Sequence, residues 1–153
     1  MENPNPVIHE TAPRLEHGED EPIDADYIFE LLRDINDPEY PNTLEELAVV
    51  TKEQIHFMPP YGLLVEYTPT IPHCSMATLI GLCIRIRLAR SLPHAIDVDV
   101  MIRDGTHVAE EAINKQLADK ERVAAAKENP HLLAVVEQCL SGVRQAGIAL
   151  TVT

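Results

Sequence analysis

The sequence predicts an α+β domain in which helices pack on a small mixed sheet, with the element order α-β-β-α-β-α-α. Two neighbouring segments alternate apolar and polar residues on either side of a turn rich in proline and glycine, and a third alternating segment follows later. The stretches between and after these segments have helical periodicity. With 153 residues, the chain has the length of one domain with a single core.

Composition restricts the class of protein. Hydrophobic residues make up 45% of the chain and aromatic residues 4%, with no Trp, so aliphatic side chains must supply the core. No apolar run approaches the ~20 residues of a membrane span. The N-terminus also lacks the basic start and apolar run of a secretory signal. Three cysteines cannot form a disulfide framework, which favours reduced thiols and a cytoplasmic or nuclear location.

The net charge of −13 is concentrated at one end of the chain. Residues 1–22 carry −5 and residues 23–46 carry −7, whereas the remaining residues carry −1. Such a field repels phosphate and disfavours direct nucleic-acid binding. The prolines and few large apolar residues of 1–22 predict a disordered acidic tail. We expect an ordered domain over 23–141 and a weakly patterned C-terminal tail over 142–153.

The first predicted helix begins after Asp24, which is a suitable N-cap, and ends before Pro38. Thr43 and Glu46 have the spacing of a capping box, which predicts one or two helical turns. The predicted apolar face of the first helix comprises Ile28, Leu31, Leu32 and Ile35.

Residues 49–57 and 63–68 are predicted to form a β-hairpin around a turn at 59–62, and residues 96–103 form the clearest strand. Residues 75–92 combine helical periodicity with a later alternating stretch. Periodicity alone does not separate helix from strand there, but the length and the absence of a turn signal favour one helix.

Two further helices complete the predicted domain. Residues 108–128 are expected to form one helix, with acidic residues in its first turn and Lys127 in its last. Asn129 and Pro130 are expected to start the next helix, which ends at Gly142.

The most unusual segment, residues 68–78, surrounds Cys74. Prolines stiffen the loop, and Cys74 falls at or beside a helix N-terminus, where unpaired amides favour a thiolate. This predicts a reactive or metal-binding thiol, with Thr70, Pro72, His73 and Ser75 as the supporting loop. A small capping residue without chemical function is the alternative.

The other candidate groups have simpler interpretations. Cys83 and Cys139 lie on apolar helix faces and are expected to pack in the core. Asp97 and Asp99 could form an acid–base pair, but a solvated strand face is the expected role. His107, in a Gly-Thr-His segment before a helix, is expected to be a cap or structural residue rather than part of an anion site. No spacing typical of a self-contained zinc or cluster site occurs, which leaves open a cluster held between two copies.

Several long segments resemble the cytosolic iron–sulfur assembly component 2 family, which shares a small domain with SufT-like and PaaD-like proteins. The resemblance covers roughly residues 23–141 and is carried by five segments: TPTIPHCSMATLIGL at 68–82, INDPEYPNTLEEL at 35–47, RSLP at 90–93, GTH at 105–107 and NKQLADKERVAAA at 114–126.

This resemblance implies a non-enzymatic subunit of the cytosolic iron–sulfur targeting complex. Members of the family bind a WD40 propeller subunit and a HEAT-repeat adaptor, and they help insert clusters into cytosolic and nuclear apoproteins. A link to chromosome segregation and a homodimeric state are implied as well. The reactive cysteine of the family corresponds to Cys74, which is also the candidate Fe–S ligand. A transient cluster is therefore expected, and no tightly bound cofactor.

Two other functions are also compatible with the residues themselves. A thiol enzyme would use Cys74 as its nucleophile, which requires a base such as His73 or His107. A structural scaffold would leave Cys74 chemically inert.

Overall fold

The computed structural model describes residues 7–13, 23–70 and 73–143. Within these residues five helices and three strands occur in the order α1 (Ala25–Leu32), β1 (Ile55–Met58), β2 (Gly62–Tyr67), α2 (Cys74–Ser91), β3 (Asp97–Ile102), α3 (Glu110–Ala118), α4 (Lys120–Glu128) and α5 (Pro130–Leu140). A short 3-10 helix, Lys52–Gln54, precedes β1. The predicted α+β class is confirmed, and the order of strands and helices agrees with the prediction except that three helices rather than two follow β3. None of the described helices combines the length and the apolar character needed to cross a bilayer.

The strands form one mixed sheet in the order β1-β2-β3. The hairpin of β1 and β2 is antiparallel and turns through the cis peptide between Pro59 and Pro60. β3 pairs in parallel with β2, placing Tyr67 beside Ile102. Because parallel neighbours need a crossover connection, α2 runs between them across one face of the sheet.

α2 lies at the centre of the core, and this position explains its mixed sequence pattern. It contacts β3 on one side and α1, α3 and α5 on others. Ile84, Ile86 and Leu88 are therefore all buried, although residues two apart point in different directions from a helix. The helix predicted for 75–92 is confirmed, and burial on several sides produces the alternation that resembles a strand.

Most of the predicted capping side chains make the expected hydrogen bonds. The Asp24 carboxylate accepts a hydrogen bond from the Tyr27 amide at 2.9 Å and caps α1. Thr43 and Glu46 make the reciprocal bonds of a capping box, at 2.9 and 3.2 Å. No helix follows that box, however, and the chain continues as turns toward the 3-10 helix. β1 also starts at Ile55 rather than at residue 49.

The single helix predicted for residues 108–128 is wrong. Two helices replace it, because the Asp119 carboxylate accepts hydrogen bonds from the amides of Glu121 and Arg122 at 3.0 and 3.2 Å. The Asp119 side chain therefore ends α3 and caps α4. Asp can hydrogen-bond to nearby backbone amides, and these bonds compete with a continuous helix. Val108, the predicted first residue, is 96% exposed and precedes α3.

Part of the N-terminal segment contacts the domain. The His9 amide donates to the carbonyl oxygen of Glu46 at 2.7 Å, and the Ala12 amide donates to the Glu45 carboxylate at 2.8 Å. Residues 7–13 thus have defined partners where the sequence predicts a disordered tail. Residues 1–6 and 14–22 lie outside the described residues, as do 144–153 of the predicted C-terminal tail.

Candidate functional site

Cys74 is the first residue of α2, and its side chain is exposed. The loop that carries it leaves the carboxyl end of β2, whose partner β3 is parallel. Loops at the carboxyl ends of parallel strands are common positions for binding sites, because the following helix directs its N-terminus outward there. The predicted position of Cys74 at a helix N-terminus is therefore confirmed.

Two side chains anchor the ends of this loop. The Tyr67 hydroxyl, at the end of β2, donates to the carbonyl oxygen of Ala77 in the first turn of α2 at 2.7 Å. The Thr68 hydroxyl donates to the Gln54 side chain at 2.7 Å, and the Thr68 amide donates to the Val49 carbonyl at 2.9 Å. The strand end and the helix start are consequently held in a fixed relation.

The start of α2 is accessible to an external ligand. His73 is the N-cap residue, with extended backbone and an exposed side chain that makes no capping hydrogen bond. Its carbonyl oxygen accepts from the Ala77 amide at 3.1 Å, and the Cys74 carbonyl accepts from the Thr78 hydroxyl at 2.8 Å. Ser75 is exposed beside Cys74. The positive end of the helix dipole therefore lies at an exposed thiol.

Thr70 adds a feature that the sequence pattern did not show. Its hydroxyl oxygen is buried and has no hydrogen-bond partner among the described residues. A buried hydroxyl normally has a partner, since leaving it unpaired costs about 1–3 kcal/mol. Pro72, the remaining predicted loop residue, lies outside the described residues.

Cys83 and Cys139 are buried in the core, as predicted. An interaction with the Cys139 side chain, together with burial, raises the pKa of the Cys83 thiol, and the interaction with Cys83 lowers the pKa of Cys139. Sequence spacing gives no indication of this interaction, because 55 residues separate the two cysteines.

The remaining candidates have structural or solvated positions. Asp97 and Asp99 are exposed on β3, and Asp99 lies 4.0 Å from the Arg85 guanidinium. His107 accepts a hydrogen bond from the Ala109 amide at 3.0 Å, which fits the predicted capping role. Its other ring nitrogen is buried without a partner within the described ranges. In those ranges, no three His, Cys, Asp or Glu side chains are grouped so that they could hold a metal ion.

The fold and the site define a small α+β domain that presents one exposed cysteine at a helix N-terminus. No family model matches the chain. It is 58% identical to mouse "Cytosolic iron-sulfur assembly component 2B" over 92% of this chain and 91% of that protein. It is 51% identical to the Drosophila melanogaster "MIP18 family protein galla-2" over 92% and 96% of the two chains, and 42% identical to the Dictyostelium discoideum "Cytosolic iron-sulfur assembly component 2B" over 91% and 97%. The chain belongs to this family of MIP18 proteins and cytosolic iron–sulfur assembly components, which confirms the resemblance seen in the sequence.

Proposed function

We propose that this protein is a non-enzymatic subunit of the cytosolic iron–sulfur targeting complex and helps insert clusters into cytosolic and nuclear apoproteins. The names of the relatives support a role in cytosolic iron–sulfur assembly. The observation that carries the proposal is the exposure of Cys74 at the start of α2, while the two other cysteines are buried.

Cys74 acts in this proposal as a transient ligand or contact for the cluster, which is cargo rather than a resident cofactor. A thiolate is the usual protein ligand of iron–sulfur clusters. Cys74 supplies one sulfur, and the other ligands come from a partner, a client or a second copy of the chain. The Thr70 hydroxyl, which has no partner in the described part of the chain, and the amides at the start of α2 supply hydrogen bonds to the bound group.

The proposed partners are a WD40 propeller subunit, a HEAT-repeat adaptor and the client apoproteins, with the chain itself as a homodimer. The acidic segment 24–46 steers a basic partner surface toward the domain. Association should then slow as salt rises, because ions screen exposed charges. Stopped-flow association rates that do not depend on salt would contradict this electrostatic contribution.

Replacing Cys74 by Ser tests the function separately from the fold. Serine is nearly the same size and is favoured at helix N-termini, so the melting temperature should change little. Activation of iron–sulfur client enzymes and incorporation of radioactive iron into them should collapse, whereas binding to the propeller partner should persist. Ser141→Ala, a change of an exposed side chain at the end of α5, is the control and should support normal maturation.

Other outcomes would overturn parts of the proposal. Normal client maturation by Cys74→Ser would make Cys74 a structural residue of a scaffold. Turnover of a small-molecule substrate that requires Cys74 but no client protein would instead support a thiol enzyme. Sedimentation that gives a concentration-independent monomer mass at micromolar protein would remove the homodimer from the proposal.

A further inference from the structure

A buried group of charged side chains, which has no role in the proposed iron–sulfur transfer, lies under the N-terminal segment. Arg33, Glu30 and Glu45, here called the arginine site, are all buried. The Arg33 guanidinium donates to both carboxylate oxygens of Glu45 at 2.9 and 3.0 Å and to Glu30 at 2.6 Å. Burial of two carboxylates with one guanidinium is stable only when further hydrogen bonds satisfy these groups.

The main chain of residues 9–13, here called the strap, supplies those further hydrogen bonds. Arg33 donates to the carbonyl oxygens of Ala12 and Pro13, the latter at 3.2 Å. The Ala12 amide in turn donates to the Glu45 carboxylate at 2.8 Å. A guanidinium has five N–H donors. Carboxylates accept from three of them and the strap from the other two, so the strap completes the arginine site.

The domain contacts the strap through main-chain atoms. Besides the bonds at Ala12 and Pro13, the His9 amide donates to the Glu46 carbonyl oxygen at 2.7 Å. The side chains of residues 7–11 and 13 are exposed, and that of Ala12 is half-buried. Recognition of an extended segment by main-chain hydrogen bonds is a common way for proteins to bind peptides. A peptide with other side chains at the exposed positions could therefore make the same bonds.

The strap is also easy to displace. It buries little apolar surface, since only Ala12 is half-buried. The entropy lost when a backbone residue is ordered is comparable with the net contribution of one hydrogen bond. The hydrogen bonds of the strap are therefore largely offset by the cost of ordering it. Because the strap belongs to no helix or strand, its release leaves the sheet and helices intact.

We propose that the arginine site, together with the Glu46 carbonyl, is a docking site for an extended peptide segment of a partner protein. The strap closes this site within the chain, and the partner segment displaces it. The segment that fits has an amide at the position of Ala12, two successive carbonyl groups for Arg33 and a small uncharged side chain between them. An acidic residue at the position of Ala12 would be repelled by the carboxylates of the site. Because this site uses no residue of the Cys74 loop, it is independent of the proposed iron–sulfur function.

The test uses the full-length chain labelled with ¹⁵N and an unlabelled synthetic peptide that corresponds to residues 7–14. Ala12→Pro in the chain removes the amide that donates to Glu45 and leaves Arg33 unchanged, so it should release the strap. Thr11→Pro is the matched control, because the Thr11 amide makes no hydrogen bond within the described ranges. Titrations follow the Arg33 side-chain Nε–H resonance by NMR. Removing the competing strap should tighten peptide binding at least about tenfold in the Ala12→Pro chain relative to wild type. The Thr11→Pro chain should bind like wild type.

Changes in the peptide test whether its main chain is recognised. A peptide with His9→Ala, Glu10→Ala and Thr11→Ala should bind as well as the original, whereas a peptide with Ala12→Pro should not bind. Loss of binding by the alanine peptide would overturn recognition through the main chain. Absence of a saturable shift of the Arg33 resonance in the Ala12→Pro chain would overturn the docking site itself.

A second measurement on the wild-type chain does not depend on the folding of any variant. Excess unlabelled peptide should move the His9 and Ala12 amide resonances of the labelled chain toward those of the free peptide, because the strap is displaced. Strap resonances that stay unchanged while the Arg33 resonance shifts would overturn competition for one site. A lower mass of the Ala12→Pro chain than of wild type in sedimentation would show that the strap docks on a second copy, which would overturn closure within one chain.

Discussion

The hydroxyl of Tyr67, the last residue of β2, donates a 2.7 Å hydrogen bond to the carbonyl oxygen of Ala77 in the first turn of α2. Both residues are buried, and the loop with Cys74 lies between them in sequence. This bond connects the sheet to the start of the helix that presents the thiol, so the position of Cys74 depends on the core rather than on its loop alone.

Replacing Tyr67 by Phe should remove this bond and keep the ring in place. We expect the free energy of unfolding to fall by about 1 kcal/mol, the usual contribution of one hydrogen bond. Amides in the first turn of α2 should exchange faster with deuterium. Tyr61→Phe, a change at a 67% exposed tyrosine, is the control and should have little effect in urea denaturation. Equal stability of both variants would contradict the anchoring role.

Gly81 is required by close packing in the middle of α2. A Cβ atom at this position would lie 2.6 Å from a methyl carbon of Leu117 and 2.7 Å from the Tyr67 hydroxyl. Alanine normally stabilises a helix relative to glycine by roughly 1 kcal/mol. Here we expect Gly81→Ala to lower the unfolding free energy by about 1–3 kcal/mol, because overpacking outweighs propensity. An increase in the urea midpoint would show that Leu117 and Tyr67 move aside.

Arg33 is fully buried and should be far more sensitive than an exposed arginine. Its guanidinium contacts Glu45 at 2.9 and 3.0 Å and Glu30 at 2.6 Å, and it also contacts the carbonyl oxygens of Ala12 and Pro13. Arg33→Met should lower the unfolding free energy by about 3–5 kcal/mol, since two buried carboxylates lose their counter-charge.

The matched control for this change is Arg90→Met, which breaks the half-exposed pair with Glu137 and should cost less than about 1 kcal/mol. Thermal denaturation of both variants measures the difference. Similar losses in the two proteins would rule out a special contribution from the buried cluster.

The folded protein should become less stable in alkaline solution, because two buried groups keep their protons. Burial raises the pKa of Tyr67 above its ordinary value of 10.0, and an interaction with the Cys139 side chain together with burial raises that of Cys83 above 9.0. Above those ordinary values the unfolded chain releases protons that the folded chain retains, so the unfolded state gains as pH rises. The contribution is fully present below pH 9 and is lost progressively above it. Urea midpoints from pH 7 to 11 measure this slope, and Tyr67→Phe should reduce the part above pH 10.

Alkylation should distinguish the three cysteines in the folded protein. Cys74 is exposed at the start of α2, so iodoacetamide should modify it first at neutral pH. Cys83 and Cys139 should react only after denaturant is added, because their sulfurs are buried. Mass spectrometry of timed samples gives the three rates. Modification of Cys139 as fast as Cys74 in the native protein would contradict the buried position described above.

Signals that act within a few residues were readable from the sequence. The N-cap roles of Asp24 and Asn129, the capping box at Thr43 and the position of Cys74 beside a helix N-terminus all depend on hydrogen bonds between near neighbours. The hairpin and the existence of a third strand follow from alternation, since β2 buries every second residue. These features require no knowledge of the rest of the chain.

Other boundaries of helices and strands depend on competing hydrogen bonds that the sequence pattern does not reveal. Asp119 divides the predicted helix 108–128 because its side chain bonds to two following amides. β1 starts late because residues 52–54 form a 3-10 turn, where the buried Gln54 donates to the Val49 carbonyl at 3.0 Å. In both places a side-chain hydrogen bond to the backbone competes with the predicted element.

By itself, the sequence determined the α+β class, the mixed pattern of elements, the family and the choice of Cys74 as the candidate functional thiol. Only the tertiary structure decided that Tyr67 holds the first turn of α2 and that Arg33 contacts groups of residues 12, 13, 30 and 45. The physical reason is the range of the interactions. Periodicity and capping are set by neighbours along the chain, whereas these contacts join groups that approach each other only when the core packs.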